Sequence, residues 1–251
     1  MNVLELWRYP VKSMLGEQLA QAEVGPAGLE GDRQWAVVDA GSGVSLSAKR
    51  YAALLSCRAW TDDARVMIAL PDGTELPADA AEVAQRLSAL LHRRVTIQSA
   101  GAGHRVRHEF PADSTAGEGE PFLWEPGLAA FVDSSPLHLI TTGTLRELSR
   151  LQPDSNFSHA RFRPNFLVET DETGFVEHNW VGHDLSLGPV KCRVSDHKAR
   201  CVMTTHAQGD LPQDRDVIKT IVKFNRANTG IELAALDPGT VRVGDAVKLR
   251  A

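Results

Sequence analysis

LLSCRAWTDDARVMIALPDG, residues 54–73, holds two apolar runs, at 54–60 and 66–70, and closes on the turn pair Asp72-Gly73. Runs this short, bounded by turn-forming residues, read as β-strands, since a helix needs roughly 10–12 residues of 3.6-periodic pattern. The same unit recurs at 3–9, 18–24, 34–38 and 95–98, with Pro26, Gly31, Gly41 and Gly43 as breaks. One helical periodicity stands among them, at 80–91, where Val83, Leu87, Leu90 and Leu91 share a face. Strands that follow strands, without βαβ alternation, predict an α+β chain that is mainly β.

Residues 99–127 are rich in Gly, Ala, Ser, Pro and Glu and show no convincing period, so the main boundary is placed here, dividing the chain into 1–110 and 111–251. Beyond it a strand at 137–141 feeds a helix in which Thr144 and Glu147 are spaced as a capping box and Leu145, Leu148 and Leu151 share a face. A second helix is expected at 216–224. Strands are expected at 166–169, 184–187, 191–194 and 246–249, with Gly188-Pro189 and Gly244-Asp245 as turns.

A chain of 251 residues, 43% of them hydrophobic, can bury a core without staples. Its 32 acidic residues outnumber 27 scattered basic ones, which argues against a grip on nucleic-acid phosphates and leaves room for a small anionic ligand. The N-terminus lacks the pattern of a secretory signal, and no stretch approaches the roughly 20 apolar residues of a membrane helix. Cys57, Cys192 and Cys201 are odd in number and lack metal-site spacing. They argue against a disulfide framework or a structural zinc site and point to reducing cytoplasm.

The strongest chemical signal is Arg200-Cys201-Val202-Met203-Thr204-Thr205, which follows a strand and a short polar turn at 195–199. Lys198 and Arg200 beside the thiol favour the thiolate, the form that ligates soft metals or attacks electrophiles. An inert thiol is the plain alternative. Tyr9-Pro10-Val11-Lys12-Ser13 ends a strand on a lysine and a hydroxyl that can hold an anionic oxygen, or be a solvated strand end. Gly28-Leu29-Glu30-Gly31-Asp32-Arg33 offers a tight turn ahead of an arginine fork. In Arg161-Phe162-Arg163-Pro164-Asn165-Phe166, alternation puts Arg161, Arg163 and Asn165 on one side, either as a solvent face or as equipment for reading a heterocycle and a phosphate.

Together these segments resemble one family. Residues 6–60, with Tyr9 to Ser13 and Gly31-Asp32-Arg33 as hallmarks, resemble the N-terminal β-barrel domain of MOSC proteins. Residues 131–249 resemble the MOSC domain itself, through Asp133 to Thr142, Arg161 to Asn165, Arg200 to Thr205 and Gly239 to Asp245. The resemblance implies a barrel-like domain over 1–110, a MOSC β-barrel with a few helices over 111–251, and a molybdenum–molybdopterin cofactor seated between them. Cys201 matches the cysteine that ligates molybdenum in the mitochondrial amidoxime-reducing component, which makes it metal ligand and catalytic centre. By the same carry-over Lys12, Ser13 and Arg33 hold the pterin phosphate side. Thr141, Thr142, Arg163, Asn165, Arg200, Val202 and Thr204 line the rest. Pyridoxal phosphate enters only as a family-level association.

Met14 stands where many relatives carry a second cysteine. No cysteine cluster follows Ala251 and no lyase half precedes Met1, so neither a fused ferredoxin domain nor a complete cofactor sulfurase is expected. The activity implied is a molybdenum oxidoreductase reducing N-hydroxylated or N-oxygenated small molecules, as a cytoplasmic monomer fed by a separate iron–sulfur or flavin donor. Asp133, His138 and His206 are candidate proton donors. A non-catalytic carrier of the cofactor or of sulfur would use the same residues. A cysteine hydrolase pairing Cys201 with His197 or His206 lacks an evident orienting acid or oxyanion loop.

Overall fold

The computed structural model describes residues 1–101, 107–125 and 130–250. Its largest element is an eight-stranded sheet in the order Val247–Arg250, Asp184–Leu187, Val190–Ala199, Asn228–Ala235, Leu137–Thr141, Phe166–Glu169, Asn2–Arg8, Glu17–Leu19. Neighbours pair antiparallel except Leu137–Thr141 with Phe166–Glu169, and that parallel pair is bridged by a crossover through a helix at Thr142–Leu151. Alternation buries both faces in the middle of this sheet. Leu137, Leu139 and Phe166 enter one core, while Ile140 and Leu167 enter another beneath the helices Thr142–Leu151 and Asp216–Asn225.

The first strand of the chain lies inside this sheet, between Phe166–Glu169 and Glu17–Leu19. Gly239–Arg242 returns the exchange by pairing with Gln21–Gly25. A second body is built from the meander Arg58–Asp62, Arg65–Ala69, Glu75–Pro77, the pair Trp35–Asp39 with Val95–Ser99, and the helix Ala81–Leu91. Its core includes Val11, Met14, Leu54, Ile68 and Leu87. The chain is α+β and mainly β, with 39% of it strand and 20% helical.

Several expectations shift. The run at 54–60 is a 3-10 turn, Ala52–Ser56, followed by the strand Arg58–Asp62; the turn packs Leu54 and Leu55 into one core, both fully buried, whereas alternation in a strand would send them to opposite faces. The capping box at Thr144 and Glu147 does not form. The helix starts one turn earlier, on Thr141, whose extended backbone lets its hydroxyl accept from Thr144 N at 3.1 Å, while Glu147 pairs with Arg150. The polar turn at 195–199 is instead the end of the strand Val190–Ala199, irregular between Val194 and Asp196 and between His197 and Ala199. Within the expected loop at 99–127, His108–Phe110 pairs with Phe122–Trp124; residues 102–106 and 126–129 of that loop lie outside the described ones. Among the described residues no helix is long and apolar enough to cross a membrane.

Candidate functional site

A cleft of about 430 Å³ gathers side chains from segments far apart in the sequence, among them Lys12 and Ser13, Arg33, Asp133, Arg163 and Cys201. Its described lining carries six cations, Lys12, Arg33, Lys49, Arg163, Lys198 and Arg200, against one carboxylate, Asp133. Three of the lining residues sit in the left-handed region: Ser13 (φ 67°), Arg33 (φ 51°) and Arg163 (φ 53°). Each such conformation costs about 1–3 kcal/mol and persists only where surrounding bonds impose it. Here Arg33 N donates to Tyr9 O at 2.8 Å, Lys12 N to Trp35 O at 2.8 Å, and Arg163 N to His159 O at 3.1 Å.

The arginines are buried and only partly satisfied. Arg163 donates through Nη1 to Met14 O and lies 4.2 Å over the Tyr9 ring, yet its Nη2 has no partner among the described residues. Arg200 donates through Nη2 to Phe162 O at 2.8 Å, with Nε and Nη1 unpartnered among the described residues. Burial pushes both guanidiniums down to about 10, still charged at neutral pH. Unpaired buried donors on a cation cost more than neutral ones, so these groups are suited to an acceptor that the described residues do not supply.

Asp133 bridges Lys12 and Lys49, the latter at 2.9 Å. Burial works against its ionised form, but the two ammonium groups hold the carboxyl well below its usual range. Burial lowers Lys12, whereas for Lys49 that effect is outweighed by Asp133 and Cys201. Lys198 donates to Ser134 Oγ at 2.7 Å and pairs with Glu232 at 3.0 Å. Cys201 is partly exposed in this cationic surround, while Cys57 and Cys192 are buried.

Residues 1–111 match the MOSC N-terminal beta barrel domain and residues 126–248 match the MOSC domain. The chain belongs to the MOSC family. It is similar to the mouse mitochondrial amidoxime-reducing component 1, with 26% identity covering 99% of this chain and 82% of that protein. The rat mitochondrial amidoxime reducing component 2 is 27% identical over 81% of this chain, which spans about two thirds (66%) of it. A molybdenum cofactor sulfurase of Chaetomium globosum is 38% identical over 28% of this chain and 9% of that protein.

In this MOSC chain the cleft brings together Lys12, Ser13, Arg33, Arg163, Asn165, Arg200 and Cys201, with Asp133 and His138. Asn165 is fully buried and spends its amide on the backbone, accepting from His138 N at 3.1 Å and donating to Trp7 O at 3.2 Å. Four expected residues are not in the cleft lining. Thr141 caps its helix and donates to Glu177 at 2.7 Å, and Thr142 bonds the Thr170 backbone. Val202 N binds Ser114 O at 2.8 Å, and the Thr204 hydroxyl turns back to Cys201 O at 3.0 Å.

The expected alternation of Arg161, Arg163 and Asn165 is not realised, because the strand begins only at Phe166. Arg161 lies in a 3-10 turn and points away from the cleft, donating to the carbonyls of Asn156, Thr204, His206 and Pro212. It ties down the segment that carries Cys201. The sequence reading missed Lys49 and the aromatic residues Phe110, Phe122 and Trp124. Lys49 follows a buried run at 44–48 in which serines alternate with apolar residues, and in sequence nothing sets it apart from a lysine at a solvated strand end; its distant partner Asp133 distinguishes it.

Proposed function

We propose that the cleft holds a molybdenum–molybdopterin cofactor through the thiolate of Cys201, and that the loaded protein reduces N-hydroxylated or N-oxygenated compounds with electrons from a separate iron–sulfur or flavin partner. The observation that carries this reading is a partly exposed thiol beside buried guanidinium N–H groups that lack partners among the described residues. A soft thiolate suits molybdenum, and charge-assisted donors suit a phosphate and a polar heterocycle edge. The cleft volume of about 430 Å³ falls in the range of roughly 300–1,000 Å³ usual for cofactor sites. The names of the mammalian relatives and of the sulfurase support the same chemistry.

Bound there, the cofactor supplies two-electron oxygen-atom chemistry at the metal. The chain's own residues bind and orient. Arg163 and Arg200 would hold its anionic oxygens through the N–H groups left unpartnered among the described residues, and Lys12 and Lys49 would add positive charge while keeping Asp133 ionised. Asp133 is therefore a poor proton donor at neutral pH. His138 is no better, because burial and then the nearby Arg200 hold its imidazole neutral.

The test is turnover by protein expressed with intact molybdopterin synthesis and supplied with a chemical reductant and an amidoxime. Reduction of the amidoxime that is lost in Arg200→Ala together with the bound pterin supports the reading. Full loading without turnover contradicts the enzyme and favours a carrier.

A further inference from the structure

Part of the cleft lining does nothing to hold an anion. Phe110, Phe122 and Trp124 come from the paired strands His108–Phe110 and Phe122–Trp124. Phe122 and Trp124 are 46% and 45% exposed, although both reach into the cleft. The two-residue period puts them on one face, and Leu123 between them, outside the lining, is 57% exposed.

These rings are held in place. Trp124 Nε1 donates to Asp133 O at 3.0 Å, Phe122 meets Phe110 edge-on at 6.0 Å, and the Lys49 ammonium lies 3.3 Å from the Phe110 ring centre. The loop joining the two strands is folded around Asp113, which accepts from Thr115 N and Ala116 N, and it rests on the residue after Cys201. Val202 N donates to Ser114 O at 2.8 Å, and a Cβ at Gly117 would come within 2.9 Å of Val202 Cγ1. One excursion therefore sets the aromatic wall relative to the thiol.

We propose that Phe122 and Trp124 are specificity-determining residues that stack on a planar aryl or heteroaryl substrate and present its N-oxygenated group toward Cys201. This rests on the functional reading above for the substrate's head group. Its aromatic half stands on the wall alone: half-open rings of fixed orientation at a cationic cleft gain most from a flat apolar partner, and a short alkyl chain gains little.

Benzamidoxime and acetamidoxime share a head group and differ in the ring. Their affinities are measured by calorimetry, with molybdenum and pterin quantified on the same samples, for wild type, Phe122→Ala/Trp124→Ala and Trp124→Phe. The wild type should prefer the aryl compound by about tenfold, the scale of one good stacking partner. The double variant should lose most of that preference while keeping its molybdenum, and Trp124→Phe should retain most of it because a ring remains. Equal affinities in the wild type, or an undiminished preference in the double variant, overturn the wall. If the wild type carries no cofactor, the functional reading fails, and the aryl preference of the same sample still decides the wall.

Discussion

Burial separates the three thiols. It pushes Cys57 up to about 11 and Cys192 to about 12, while Cys201 stands partly exposed in the cleft. In protein freed of cofactor, a thiol reagent near neutral pH should therefore label Cys201 alone, read by mass spectrometry of the intact, folded protein; labelling of Cys57 or Cys192 at a similar rate would contradict that assignment. Arg161 works behind the same residue. It is fully buried and serves four backbone carbonyls, so Arg161→Met should destabilise the fold by about 3 kcal/mol or more, read as a lower urea midpoint. Cys201 was legible in sequence because polar and cationic residues flank it, a setting unlike that of a core thiol. The roles of Arg161 and Arg163 were not separable, because which one faces the cleft depends on the left-handed backbone at Arg163 and a 3-10 turn, neither of which alternation anticipates.

At the scale of elements, the helix Thr142–Leu151 depends on its cap. Thr141→Ala removes that cap and one of the hydroxyls that serve the buried Glu177, and should cost about 1–3 kcal/mol in denaturant unfolding. An unchanged midpoint would mean that the cap is dispensable. The strand Asn228–Ala235 is central to the large sheet yet went unread, since Asn228, Gly230 and two alanines give it little β character. Its reason is tertiary. Gly230 has φ 79°, and a Cβ there would lie 2.4 Å from His138 Nε2 and 2.5 Å from Leu139 O. Legible strands were those with a continuous apolar run, such as Phe166–Glu169, or apolar alternation, such as Asp184–Leu187, and their limits agree with the structure. The hairpin that carries Phe122 and Trp124 was hidden because each strand is three residues long and sits in a Gly- and Pro-rich stretch.

Across the whole molecule, sheet pairing passes residue 110 in both directions, through Asn2–Arg8 and through Gly239–Arg242. We expect the halves 1–110 and 111–251 not to fold independently, and the intact chain to unfold in one cooperative transition; two separated transitions would contradict this. Acid should weaken that single unit. Burial pushes His108 down to about 3 and His178 to about 4, below the roughly 6.5 of an exposed imidazole. Because the unfolded chain takes up these protons first, the stability they contribute is present above about pH 6.5 and is lost as the pH falls toward 4. The slope is about 1.4 kcal/mol per pH unit for each histidine. Urea midpoints that stay flat from pH 7 to 4.5 would contradict this.

Cys201 as the molybdenum anchor is tested by metal analysis and pterin fluorescence on wild type and Cys201→Ser, both expressed with intact molybdopterin synthesis. Near-stoichiometric molybdenum and pterin are expected in the wild type, with the metal lost from the variant. A wild type that carries neither, or a variant that keeps its molybdenum in full, would contradict the claim that Cys201 anchors a molybdenum cofactor in this cleft.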